Sequence, residues 1–204
     1  MPQAVPVKSK RLSKAARRRQ LLDVAKTLLE SGGANALTLA ELAEQAGVSK
    51  PIAYDHFGTR SGLLIAMLED TSLYYESDAE AKIAKAPETI PAISEIVATA
   101  YVQCAIAAGP AVTVLAAAAE ADADARMAGR VIQRNHAENF QRAFAPVLNA
   151  NHDRLQPLFR SLVAAANAIC DDRTHNKISS KLAIETLTHL LVTSLTPFAR
   201  TPDK

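Results

Sequence analysis

The apolar positions of this chain recur, where they can be read, at the spacing of helices. Leu21, Leu22, Ala25, Leu28 and Leu29 form the first stripe, with Ser13 placed to cap it and Gly32-Gly33 to stop it, which predicts a helix over about 13–31. Leu39, Leu42, Ala43 and Ala46 form a second, shorter stripe. Thr38 and Glu41 have the spacing of a capping box at its start, and Gly47 supplies a C-cap at its end. After Val48, a small apolar plug, Ser49 is placed to cap a third helix with Pro51 in its first turn, where a missing N–H costs little. Only Ala53, Phe57 and, less clearly, Ile52 pack inward there, so Lys50, Tyr54, Asp55 and His56 face out. Gly58 breaks the chain, Thr59 caps a fourth helix, and Leu63, Leu64, Met67 and Leu68 pack its start.

Five further helices are expected. Pro87 and Pro91 bracket a linker, and a helix over about 91–108 follows, with Ile93, Ile96, Val97, Ala100, Tyr101, Cys104 and Ala105 on its apolar face. Gly109-Pro110 is expected to break it sharply, leaving a separate alanine-rich helix that ends near Asp122–Asp124. A long amphipathic helix over about 125–148 carries Met127, Val131, Phe140, Phe144 and Leu148, and Pro146 bends or ends it. The last two helices, over about 152–170 and 179–199, have wide apolar faces that include Leu155, Phe159 and Leu162 in one and Leu187, Leu191 and Leu195 in the other. Faces this wide bury one side in the core and leave surface to spare, unless the pair is a fully internal hairpin. The expected fold is therefore all-α, with about nine helices: a helix-turn-helix domain over 13–68 and a larger helical domain over 69–204. Residues 1–12, with two prolines and little to bury, read as a basic disordered arm.

Charge adds a direction to this picture. Residues 1–20 hold seven basic side chains and no acid, whereas residues beyond 70 hold 13 basic and 14 acidic. Positive charge thus gathers in front of the helix-turn-helix, where phosphates would lie. Arg17, Arg18 and Arg19 also sit near a helix N-terminus, which the helix dipole disfavours and an anionic partner would relieve. A helix-turn-helix braces one helix on the DNA backbone and sends the other into the major groove, although two helices and a tight turn also fit an ordinary core hairpin.

Catalytic patterns are missing: there is no HExxH, no Glu-x-x-His, no P-loop and no GxSxG, and the five histidines lack metal-ligand spacing. No enzyme activity, metal or cofactor is expected. Cys104 and Cys170 lie far apart in apolar contexts and read as free buried thiols. No signal-peptide core is seen and no charge-free apolar run is expected to reach membrane-spanning length, so a soluble cytoplasmic protein is expected.

The segment LTLAELAEQAGVSKPIAYDHFGTRSGLL, residues 37–64, resembles the tetracycline-repressor (TetR) family of regulators. The resemblance rests on Thr38 before the first helix of the motif, A-G-V-S at the turn, Tyr54 two residues before His56, Phe57, and Leu63-Leu64; with the preceding helix it covers about 13–68. Beyond residue 80 only length and helical character are similar. The resemblance implies a homodimer that binds double-stranded operator DNA. It also implies that Thr38, Ser49, His56 and Arg60 hold phosphates, to which the basic start of the first helix adds Arg17. On chemistry alone, Lys50 reaches guanine or a phosphate, Pro51 and Ile52 meet thymine methyls, and Tyr54 meets a phosphate or base edge or else packs on the first helix. Asp55 either points aside or accepts from a cytosine amine.

The resemblance further implies a ligand-binding and dimerisation domain after residue 68. Candidate lining residues for a small, apolar effector are Met67, Leu73, Tyr74, Tyr101, Cys104, Leu115, Met127, Val131, Asn135 and Phe140. Candidate dimer contacts on the last two helices are Leu155, Phe159, Leu162, Leu187, Leu191 and Leu195. The expected function is a transcriptional repressor released by its ligand. A ligand-dependent activator of the same fold, or a helical structural protein without a DNA role, are the alternatives.

Overall fold

The computed structural model describes residues 12–119, 123–149 and 152–200; the basic arm expected over 1–12 lies, apart from Leu12, outside them. The described residues form eight α-helices: α1 (Lys14–Ala36), α2 (Leu39–Gln45), α3 (Lys50–Phe57), α4 (Arg60–Ile83), α5 (Ile90–Ala119), α6 (Ala123–Phe144), α7 (His152–Thr174) and α8 (Ser180–Leu195). Single 3-10 turns follow α6 and α8. The architecture is all-α, as expected. The chain divides into two compact units between Leu63 and Leu64, inside α4 rather than at its end.

In the first unit, α1 packs on α2 and α2 on α3. The stripe read from sequence is its core: Leu21, Leu22, Ala25, Leu28, Leu29, Leu37, Leu39, Leu42, Ala43, Ala53 and Phe57 are all buried. Thr38 has an extended backbone and its Oγ1 accepts from the Glu41 N–H, which fixes the start of α2. Glu41 does not close the reciprocal half of a capping box: the Thr38 N–H donates to the Ala36 carbonyl, and the Glu41 carboxylate accepts from Gln45 Nε2. Gly47 takes φ 64°, the left-handed geometry that ends α2 without the steric cost a Cβ would add. Ser49 stands at the N-cap position of α3 with extended backbone, yet its hydroxyl makes no cap bond, contrary to expectation.

In the second unit, α5 packs on α6, α7 and α8, and α6 and α8 each pack on α7. Ile93, Val97, Val102, Phe140, Phe144, Phe159, Val163, Leu187 and Leu191 lie in its core, with the Phe144 and Phe159 rings stacked 6.3 Å apart. Two expectations fail in α5. Gly109-Pro110 does not break it: one helix of 30 residues runs through Pro110. Proline removes one backbone bond and crowds the preceding turn, but Ile106, Ala107 and Pro110 are exposed, so the released carbonyl lies on the water side. Ala108, Ala111 and Leu115 meanwhile anchor both flanks by burial. The second failure follows from the first. Read as one helix, Ile90–Ala117 is long and apolar enough to cross a membrane by length and composition, with mean hydropathy 1.6. Here its apolar face is spent in the core of the second unit.

The helix expected to end at Pro146 does so: α6 gives way to a 3-10 turn over Ala145–Val147. The next residues make a contact that no local pattern announced. Leu148 bridges Ala199 in antiparallel fashion, with Asn149 N–H donating to Phe198 O and Arg200 N–H to Val147 O at 2.9 and 2.8 Å.

Candidate nucleic-acid interface and ligand cavity

The first unit builds its candidate interface around α3. Ala53 and Phe57 anchor the helix inward, 0 % and 8 % exposed, and that fixes which side faces out. Lys50, Pro51, Tyr54 and Asp55 are exposed, and Ile52 is half-buried. Tyr54 is 51 % exposed, so half of its surface stays open to a partner. Arg18 braces the end of α3 instead: its guanidinium lies 5.2 Å over the Phe57 ring and donates to the His56 carbonyl at 3.3 Å. Gln20 donates to the Ala46 carbonyl at the turn. Neither residue is apolar, so the hydrophobic pattern gave no hint of this bracing.

Around that helix stand the other residues expected at DNA. Thr38 and Ser49 are exposed, and capping leaves Thr38 its hydroxyl proton to donate. Arg17 is half-buried and donates to Gln20 Oε1. Arg60 donates through Nε to the Leu37 carbonyl at 2.8 Å, which ties the start of α4 to the segment before α2. His56 is half-buried; burial, then the charges of Lys14 and Arg18, hold its imidazole below the usual histidine range, so at neutral pH it is a neutral donor.

Two neighbouring cavities in the second unit bear on ligand binding. One, of about 370 Å³, is walled by α4, α5 and α6, and its lining is mainly alkyl and aromatic around Tyr75, Val97, Tyr101 and Phe140. The other, of about 750 Å³, shares Ser72, Tyr101, Cys104 and His136 with it and extends to Leu115, Asn167 and Cys170. Of the residues expected at a ligand, Tyr101, Cys104 and Phe140 line the smaller cavity and Leu115 the larger. The rest do not. Leu73, Tyr74 and Met127 are 65 %, 69 % and 57 % exposed, Asn135 is exposed, Val131 is half-buried and Met67 is buried away from both cavities, with Tyr74 edging only a shallow groove.

The reason is helical register. The cavity wall of α4 runs through Ser72, Tyr75, Glu76, Ala79 and Ile83, a clean 3–4 spacing that Leu73 and Tyr74 do not share. On α6 the wall runs through His136, Asn139, Phe140 and Ala143, while Val131 and Asn135 sit one residue, about 100°, off the facing row. A candidate set that was apolar but for Asn135 passed over Glu76, His136 and Asn139. Here Glu76 Oε1 lies 3.7 Å from His136 Nδ1. Burial raises the Glu76 carboxyl above the ordinary range against a hydrogen bond from Asn139, and burial lowers His136. Tyr101 sits edge-on to both His136 and Phe140 and bonds Asn167 Oδ1 at 2.8 Å, with burial pushing its phenol up.

The candidate dimer contacts also need correction. Leu155, Phe159, Leu162, Leu187, Leu191 and Leu195 are at most 3 % exposed within one chain, so all six face its own core and have no surface to offer a partner. What α7 and α8 leave outward is mixed: Arg160, Ser161, Ala164 and Ala168 on one, and Leu182, Glu185, Thr186, His189 and Thr193 on the other, with small residues interspersed among charged ones.

Residues 21–67 match the family model described as bacterial regulatory proteins, tetR family. Residues 21–67 are thus similar to the helix-turn-helix region of that family. A stretch of 59 residues is 41 % identical to the HTH-type transcriptional activator FasR of Mycolicibacterium smegmatis; it covers 29 % of this chain and 27 % of that protein. Over nearly the whole chain the fold is that of solved TetR-family regulators. A putative one from Rhodococcus sp. superposes with a TM-score of 0.66 at 21 % identity, covering 90 % of this chain and all of that one. Another, from Streptomyces coelicolor, gives 0.64 at 19 % identity over 91 % of this chain and 83 % of its own. The proteins it resembles are thus regulators rather than enzymes.

Proposed function

We propose that this protein is a dimeric, sequence-specific DNA-binding regulator of transcription, and that it represses until a small, mainly apolar effector releases it from its operator. The observation that carries the reading is α3: a two-turn helix pinned inward by Ala53 and Phe57, with Lys50, Pro51, Tyr54 and Asp55 presented to solvent. Lys50 and Tyr54 are the readers of base edges in this account, with apolar contact from Pro51 and Ile52. Thr38, Ser49, His56 and Arg17 hold phosphates and set the register, and Arg60, oriented by its bond to Leu37, joins them. Ser49 suits this role because capping does not consume its hydroxyl. Such a role places the chain in the cytoplasm.

Dimerisation in this reading runs through the outward faces of α7 and α8, and the two α3 helices then meet half-sites roughly 34–36 Å apart. An effector in the second unit changes that spacing and lowers DNA affinity by as much as it prefers the mismatched conformation. A second reading, that bound protein activates, is favoured by the similarity of the helix-turn-helix to that of an activator. A promoter–reporter fusion with the gene deleted separates them: expression rises if the protein represses and falls if it activates. Binding to the operator should weaken steeply with salt, the log–log slope being about −0.9 for each phosphate neutralised, and a flat salt dependence would count against the phosphate contacts assigned here.

A further inference from the structure

Resting on the reading of the second unit as an effector domain, we propose that its 370 Å³ cavity selects a lipophilic monocation, an amine or onium group on an apolar body, and that Glu76 is the counter-charge. The cavity is otherwise built for apolar matter, which makes the one half-buried carboxylate on its wall its distinguishing chemistry. Among the described residues Glu76 forms no ion pair with a guanidinium or ammonium group, although the charge of Arg142 reaches it from the rim. His136 is 3.7 Å away, and burial keeps its imidazole neutral at ordinary pH. Arg142 reaches the rim, where its guanidinium is shared between Glu80, at 3.7 Å, and Asn139 Oδ1, at 2.9 Å. Two carboxylates and one guanidinium leave the lining one negative charge in excess.

Three consequences follow for a guest. A carboxylate ligand meets Glu76 as a like charge and finds the nearest cation already engaged. A neutral ligand drives water from Glu76 and gives nothing back, so the carboxylate pays a desolvation cost of the kind that already raises its affinity for protons. A cation returns that cost as ionic attraction in a poorly hydrated site, and Tyr75, Tyr101 and Phe140 offer ring faces or edges to its substituents. Asn167 holds Tyr101 in place by accepting its hydroxyl proton, which leaves its ring and the lone pairs of its oxygen for the ligand.

Matched probes test the charge itself. Benzyltrimethylammonium and neopentylbenzene differ by a nitrogen for a carbon, and 4-phenylbutanoate supplies the opposite charge. Titrated calorimetrically into the full chain, the cation is expected to bind at least tenfold more tightly than either other probe. Glu76→Gln should cost the cation about that factor and leave neopentylbenzene unchanged or slightly tighter. Equal or weaker binding of the cation in the unaltered protein, which needs no variant, overturns the proposal, as does a folded Glu76→Gln protein that keeps the preference. If neopentylbenzene or 4-phenylbutanoate binds and releases operator DNA while the cation does not, the charge assignment falls and the effector reading stands. If none of the three binds, the cavity is not the site and the proposal falls, while operator binding still tests the DNA reading separately.

Discussion

Single residues decide more here than their number suggests. Gly62, in the first turn of α4, is one of them: a Cβ there would lie 2.1 Å from the Phe57 carbonyl oxygen, a backbone atom that cannot swing aside. Gly62→Ala should therefore destabilise the first unit by about 1–3 kcal/mol, read as a lower urea midpoint, even though alanine is the better helix former. An unchanged midpoint would mean that the turn after α3 is looser than described. The two thiols make the opposite prediction, of inertness. Burial pushes Cys104 up to about 11, and burial with the neighbouring Cys104 pushes Cys170 up to about 12. At pH 8 only roughly a thousandth of Cys104 is then thiolate, so iodoacetamide should label the native chain far more slowly than the unfolded one. Rapid native labelling would contradict the shielding assigned to half-buried Cys104 and buried Cys170. At this scale the sequence was legible where a residue's job is local. Thr38 caps α2 as its spacing foretold, and Ala53 and Phe57 point inward. It was opaque where the job is done across space: Arg18 under the end of α3 and Glu76 in the cavity wall depend on partners that no window of the chain contains, and Gly62 depends on how tightly the turn after Phe57 closes.

At the scale of elements, hydrophobic periodicity located the helices and misjudged two of their properties. It cut α5 at Gly109-Pro110 because local propensity favours a break, whereas burial of Ala108, Ala111 and Leu115 on either side holds the helix through it. It also assigned the strongest leucines of α7 and α8 to a partner, although the widest apolar face is the one a chain keeps for its own core. The corrected surfaces give a sharp contrast. Leu187→Glu and Leu191→Glu put a charge where 0 % of the side chain is exposed and should unfold the second unit. Ala164→Arg with Thr186→Arg, both on exposed outward positions of α7 and α8, should leave the fold intact and yield monomers in sedimentation. Dimers that persist in that double variant would move the interface to another face.

For the molecule as a whole, the account joins a DNA-reading unit to a unit with a hydrophobic cavity. The first was legible as soon as A-G-V-S, Tyr54, His56 and Phe57 were read together, because the motif is short and its chemistry is presented by one helix. The second was legible only as helical, since a cavity is a relation among α4, α5 and α6 and its register emerges once they pack. The central claim is that α3 reads sequence, and fluorescence anisotropy tests it most directly, with labelled DNA from the protein's own upstream region and an unrelated duplex of equal length. The account predicts that Lys50→Ala and Tyr54→Ala each cost about 1–3 kcal/mol on the first duplex, little on the second, and leave the melting temperature unchanged, since both side chains are exposed. Variants that keep full preference for the upstream duplex would contradict it.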